Sequence, residues 1–296
     1  MQTVTKEQQP RWNAIIVDVL RAFDKICREQ NLTYFCGGGT AIGAVRHHGI
    51  IPWDDDIDLF MPRPDYDRFL ALTDGKELGD YEVLTPWNTD NYPFHFTKMC
   101  NRNTTLIEEV DTPCVTGLFI DIFPLDGTAD DLAEAARLKR RFRKISNRLE
   151  AISTHNRFSD YLSLLGKRSE WGRFLVKTAG FFFRRPMRKA LLGKMERICR
   201  WYDFASATNV VVYCGVYNER EIYPKSWAGH QVFFPFEGLE VPLSNGYDNY
   251  LRQFFGDYMQ LPPEEKRVSH HVKAFFDMDR RWSDEELKPV LRSLQG

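Results

Sequence analysis

Trp53-Asp54-Asp55-Asp56-Ile57-Asp58 follows closely on the glycine turn Gly37-Gly38-Gly39. Carboxylates this close repel and raise each other's pKa unless a cation compensates them. Such a run is either a solvated turn or helix cap, or a place built for that cation, and its context favours the second. The run enters an apolar segment, Ile57 to Met61, closed by Pro62. Alternate residues of a strand share a face. Asp56, Asp58 and Phe60 are therefore expected on one face, and Ile57, Leu59 and Met61 on the other. Two carboxylates on one face beside a glycine turn suit a divalent metal next to a phosphate.

The flanking segments give this run a setting. Ile15, Ile16, Val19, Leu20, Phe23 and Ile26 recur at helical spacing and predict an amphipathic helix over 12–29. Residues 32–36 read as a short strand. The three glycines leave backbone N–H groups open to an anion. Thr40 is expected to cap a short helix over 41–48, with Gly49 as its stop. Residues 64–72 read as a further helix. Strands are expected at 94–99 and 118–123, and Asp121 interrupts the second, otherwise apolar run. A lone carboxylate in a buried strand costs several kcal/mol unless compensated. It is expected either in a structural ion pair or as a third ligand to the same metal. Further on, 210–214 reads as a strand, 231–241 as a hairpin around Glu237-Gly238, and 246–255 as a helix.

Charge divides the chain. From Arg137 to Arg200 there are 19 Lys/Arg against 4 Asp/Glu, while the whole chain has a net charge of −1. This basic stretch reads as helical. It is either a set of solvated helix faces or an attraction to anionic lipid or an anionic acceptor. Phe181-Phe182-Phe183-Arg184-Arg185 suits an interfacial segment. No nucleic-acid motif accompanies the charge, so no nucleic-acid partner is expected. The first ten residues lack the apolar run of a signal peptide, and no apolar stretch is long enough to span a bilayer. The six cysteines form no C-x-x-C pair and read as reduced and mostly buried, in a cytoplasmic protein.

Strand, glycine turn, helix, a strand with Asp-x-Asp, and a separate strand with one Asp together resemble the nucleotidyltransferase fold. The longer pattern is more specific. Gly38-Gly39-Thr40-Ala41-Ile42-Gly43-Ala44-Val45-Arg46-His47-His48-Gly49 leads to Ile51-Pro52-Trp53 and the acidic run, then to Met61-Pro62-Arg63 and Asp65-Tyr66. With Phe96-Thr97-Lys98, Thr104-Thr105, Phe119 to Asp126, Phe236-Glu237-Gly238 and Phe255 to Met259 with Pro262, Arg267 and His271, it closely resembles the LicD family.

That resemblance implies a metal-dependent phosphotransferase using Mg²⁺ or Mn²⁺. A sugar hydroxyl would attack the distal phosphorus of a CDP-linked donor (CDP-choline in bacterial members, CDP-ribitol in fukutin-type relatives) and release CMP. The acceptor would be a sugar of a lipopolysaccharide, teichoic acid or other lipid-linked glycan. It assigns metal roles to Asp56 and Asp58, and a metal or base role to Asp121. Gly38, Gly39 and Thr40 would approach the donor pyrophosphate. Arg46 and Lys98 would neutralise phosphate oxygens, unless they are surface cations. Glu237 would bind acceptor or choline, or hold its hairpin, and His271 would contact phosphate. Asp54 is expected to order the turn or to support the metal ligands from behind them, and Asp55 to lie in the turn.

The expected fold is α/β (α+β), a nucleotidyltransferase-type mixed sheet flanked by helices. Residues 1–130 form its catalytic core, 131–205 a basic helical insertion, and 206–296 a segment completing the substrate site. The expected place of work is the inner face of the cytoplasmic membrane. A true nucleotidyltransferase that transfers NMP, and an idle membrane-surface scaffold, are the competing readings.

Overall fold

The computed structural model describes residues 2–89, 92–109, 114–153, 171, 174–175, 178, 182–268 and 273–294. Helix α1, Gln9–Glu29, starts with a proline in its first turn and ends where Asn31 turns left-handed at φ 50°. Its apolar stripe, Trp12, Ile16, Leu20, Phe23 and Cys27, is buried against β4 (Thr97–Asn101) and β6 (Phe119–Thr128).

β1 (Phe35–Cys36), β2 (Asp58–Pro62), β6, β4 and β3 (Tyr81–Leu84) lie side by side in one mixed sheet. Only β2 and β6 run parallel, and their register sets Asp58 opposite Asp121 and Phe60 opposite Phe123. β4 runs antiparallel to β6, with Lys98 opposite Asp121. The end of β6 pairs with β7 (Asn209–Val211), which pairs in turn with β8 (Ile222–Pro224). The fold is thus the expected mixed α/β type. The alternation also holds: Ile57, Leu59 and Met61 are fully buried in the main core.

α2, Gly38–Ile42, opens at the glycines themselves and runs into a π-turn over Gly43–His47. The expected cap at Thr40 is corrected here. Gly37 is the cap residue, and the Thr40 hydroxyl inside the helix accepts the Asp58 N–H at 2.8 Å. The turn is thereby tied to the acidic strand. α3, Arg63–Thr73, begins with a guanidinium bonded twice to Asp126, at 2.6 and 3.0 Å, both groups buried. Asp126 therefore anchors α3 to β6.

α4, Leu132–Ser153, and α5, Arg184–Cys199, pack on each other. Phe142, Leu149, Met195, Val211 and Tyr213 build a second core between them and β7. β9 (Gln231–Phe236) and β10 (Leu239–Ser244) form the expected hairpin, followed by α6, Tyr247–Phe255. β11 (Phe275–Asp277) returns to pair with β5 (Thr105–Ile107), and α7, Asp284–Leu294, buries Leu287 beside Ile107. Among the described residues no helix is long and apolar enough to cross a membrane.

Candidate active site

A cavity of about 960 Å³ opens over the face of the sheet that carries Asp58 and Asp121. Gly38 and Gly39 line it, and both are pressed against carboxylates. A Cβ on Gly38 would stand 3.0 Å from Asp58 Oδ2, and one on Gly39 2.5 Å from Asp54 Oδ2. Gly38 also has φ 46°, a left-handed value that side chains resist. The glycines let the turn close onto the acidic strand.

Asp54, Asp56, Asp58 and Asp121 all line this cavity. Enclosure pushes the Asp58 carboxyl well above the usual range, and the charges of Asp56, Asp121 and Asp54 push it further, against the pull of Lys98. Burial raises Asp121 to about 7; Lys98 opposes that rise and Glu108 adds to it. Carboxyl oxygens of Asp54, Asp55 and Asp56 come within 4.8 Å of one another. Asp55, however, is buried beside Lys273, 3.4 Å away. The cavity-facing donors are all hard oxygens, and like charges resist the ionisation of Asp58 and Asp121. Such a set fits a hard divalent cation better than any soft metal.

Lys98 is 1% exposed, so it is no surface cation. Its ammonium donates to Asp121 Oδ1 at 2.8 Å, stands 3.4 Å from Glu108 and lies over the Phe119 ring. Burial works against its charge, but Asp121 and Glu108 outweigh burial and hold its pKa above the usual lysine value. It therefore keeps Asp121 in place and tempers its charge. Arg46 lines the cavity and donates to the carbonyls of Tyr258 and Gln260. Burial, then Arg267, lowers its pKa. A guanidinium held by carbonyls in a cavity keeps its charge available to an anion.

Glu237 does not line the cavity. Its carboxylate accepts the Ile50 N–H at 2.9 Å, and its own N–H donates to His48 O. It joins the hairpin tip to the turn that follows the π-helix. His271 lies outside the described residues.

Three parts of the wall escaped the sequence reading. Phe94, Phe96 and Phe123 line the cavity half-buried, although each reads as core. Arg143, Ser146, Asn147 and Glu150 of α4 line it too. Their spacing marks one helix face, a signal present in the sequence but silent about what that face meets. The segment 212–217 completes this side. Lys139, buried in α4, donates to the carbonyls of Val212, Tyr213 and Gly215 and pairs with Glu221. The basic arm is thus fastened to the cavity wall.

Residues 31–148 match the family model described as LicD/FKTN/FKRP, nucleotidyltransferase domain. The chain is 28% identical over 278 residues to the lipopolysaccharide cholinephosphotransferase LicD of Haemophilus influenzae, covering 92% of this chain and 97% of that protein. Shorter matches are to uncharacterized proteins of Rickettsia typhi, 35% identical over 65 residues and 21% of that protein, and Rickettsia prowazekii, 36% over 50 residues and 19%. Both the family-model match and the near full-length likeness point to the LicD family.

Proposed function

We propose that this protein transfers a phosphocholine-like group from a CDP-activated donor to a sugar hydroxyl of a cell-surface glycan, releasing CMP. The observation that carries this reading is the convergence of Asp56, Asp58 and Asp121 with Gly38 and Gly39 on one cavity. The near full-length likeness to a lipopolysaccharide cholinephosphotransferase supports the reaction class.

Asp56 and Asp58, with Asp121 beside them, would hold Mg²⁺ or Mn²⁺. When bound, the metal supplies charge neutralisation at the phosphoryl oxygens. Gly38 and Gly39 let the donor pyrophosphate approach the backbone, and Arg46 adds a second cation for it. The sugar oxygen forms a bond to the distal phosphorus as the bond from that phosphorus to the oxygen of CMP breaks. Asp121, whose carboxyl burial raises to about 7, would take the hydroxyl proton. Lys98 orients that carboxylate through a 2.8 Å bond.

The setting we propose is the inner face of the cytoplasmic membrane, with a lipid-linked glycan as acceptor. The surplus of 19 Lys/Arg over 4 Asp/Glu between Arg137 and Arg200 supports contact with anionic lipid. So do Phe182 and Phe183, 67% and 60% exposed.

The test is product analysis with CDP-choline, Mg²⁺ and a glycan acceptor. CMP release that is lost on Asp58→Asn supports the reaction. Full turnover by Asp58→Asn, or pyrophosphate release from a nucleoside triphosphate as the only activity, would refute it.

A further inference from the structure

Resting on the transferase reading, we propose that the aromatic rung Phe60–Phe123–Phe96 seats a quaternary-ammonium headgroup, and so selects a cationic transferred group over a neutral polyol. The sheet register places this rung. Asp58 lies opposite Asp121, and two residues further along the same parallel strands Phe60 lies opposite Phe123. Thr97 opposite Ile122 brings Phe96 alongside Phe123, their ring centroids 4.4 Å apart. Phe94 extends the row at 4.9 Å from Phe96. The cavity face thus carries a rung of carboxylates and then a rung of phenyl rings. Two residues of strand separate them, about 6.6 Å along the chain. That is a span comparable with the oxygen-and-two-carbon bridge between phosphorus and nitrogen in phosphocholine. A phosphoryl group seated beside Asp58 and Asp121, on the cation they would hold, would deliver a short cationic tail onto the rings.

The chemistry of the rung narrows its ligand. Phe96 and Phe123 are half-buried and line the cavity. Phenyl faces attract cations through their quadrupole and offer a hydroxyl nothing. A polyol tail would lose water-bonded hydroxyls against them, which is unfavourable. A trimethylammonium has no hydrogen-bonding capacity to lose. The row already accepts one cation, since the Lys98 ammonium stands 4.6 Å and 5.4 Å from the Phe94 and Phe96 centroids. That ammonium is neutralised by Asp121 and Glu108. The cavity as a whole also favours positive charge. Among the described residues, its lining carries nine carboxylates and two guanidinium groups.

The test is titration of the full chain, with Mg²⁺ and CMP present, by choline and by its neutral tert-butyl isostere, read by calorimetry. Choline is expected to bind about tenfold tighter than the isostere. Phe96→Leu and Phe123→Leu are each expected to weaken choline roughly three- to tenfold and the isostere less than about twofold. Phe123→Tyr is expected to keep the discrimination. Equal affinity for the two ligands overturns the proposal. So do folded leucine variants that bind choline as wild type does. If the leucine variants fail to fold, wild-type preference for choline over ribitol decides in the same way. Choline discrimination without CMP release from CDP-choline would keep this site and remove the transferase reading. Faster CMP release from CDP-ribitol than from CDP-choline would do the reverse.

Discussion

Asp121→Asn is expected to make the protein's stability less dependent on pH, in a direction opposite to that of most carboxylates. A salt-bridged surface aspartate usually has a depressed pKa and stabilises the fold as pH rises. Asp121 is raised from a usual 3.8 to about 7. Between those values the folded chain holds a proton that the unfolded chain has lost. Stability is therefore greatest on the acid side, falls as pH rises through this window, and levels off above about 7. At about 1.36 kcal/mol per pH unit, the full titration removes roughly 4 kcal/mol. Roughly 3 kcal/mol of that lies between pH 5 and 8.

The asparagine also replaces the carboxyl that Lys98 donates to at 2.8 Å in wild type. Exchanging that partner for an amide adds an offset of about 1.5–3 kcal/mol that does not vary with pH, since the ionisation of the pair is already contained in the titration above. The two effects therefore separate. Urea unfolding of both proteins at pH 5, 6, 7 and 8 with chelator present gives the difference in stability at each pH. Wild type should lose roughly 3 kcal/mol relative to the variant from the lowest pH to the highest. A constant difference, or one that grows in favour of wild type as pH rises, would refute the account of Asp121 as a carboxylate ionised against its surroundings.

Mg²⁺ should stabilise wild type more at pH 8 than at pH 5.5, because carboxylates must lose their protons to bind it. At a hundredfold excess over its dissociation constant the gain is about 2.7 kcal/mol. Thermal melts check this, and the same gain in Asp58→Asn would contradict the site. Asp126→Asn should cost about 3–5 kcal/mol by leaving the buried Arg63 without its bidentate partner. A urea midpoint within error of wild type would show that Asp67 and Glu196, 3.6 and 3.8 Å from the guanidinium, suffice instead. Gly38→Ala should cost about 1–2 kcal/mol for the left-handed backbone alone, and should weaken CMP binding as the new methyl crowds Asp58. Unchanged calorimetric affinity for CMP would remove Gly38 from the phosphate path.

The acidic strand was legible because its two faces differ in chemistry. Ile57, Leu59 and Met61 had to go inward, which forced Asp56 and Asp58 the other way, and each of those three apolar residues is fully buried. Asp121 was legible because a carboxylate inside an apolar strand needs a reason. What sequence spacing does not contain is sheet order. That β2 and β6 are parallel neighbours, with Asp58 opposite Asp121, is set by long-range pairing. The same pairing joins Phe60, Phe96 and Phe123, each of which reads alone as core. Thr40 was misplaced because a threonine after glycines looks like a cap. The Asp58 N–H, eighteen residues away in sequence, competed for its hydroxyl and won. Lys98 stood open between phosphate ligand and surface cation. An ion pair formed across β4 and β6 decided its burial.

The charge division has a structural form that composition could not give. Phe142, Ile145 and Leu149 of α4 enter the second core, while Arg143, Ser146, Asn147 and Glu150 meet the cavity. Arg141, Lys144 and Arg148 of the same helix are exposed. One helix thus supplies packing on one stripe, a mixed polar wall on the next, and basic charge on the stripe that faces water. Of the basic residues between Arg137 and Arg200, Arg143 is the one that reaches the cavity lining among the described residues. Among the described residues, the exposed basic stripe of Arg141, Lys144 and Arg148 therefore stays outside the cavity. Over a Debye length of about 8 Å at physiological salt, it acts on what approaches the molecule from outside. The carboxylates act on what has already entered, so attraction of an anionic surface and selection of a cation inside the cavity can coexist in one chain of nearly zero net charge.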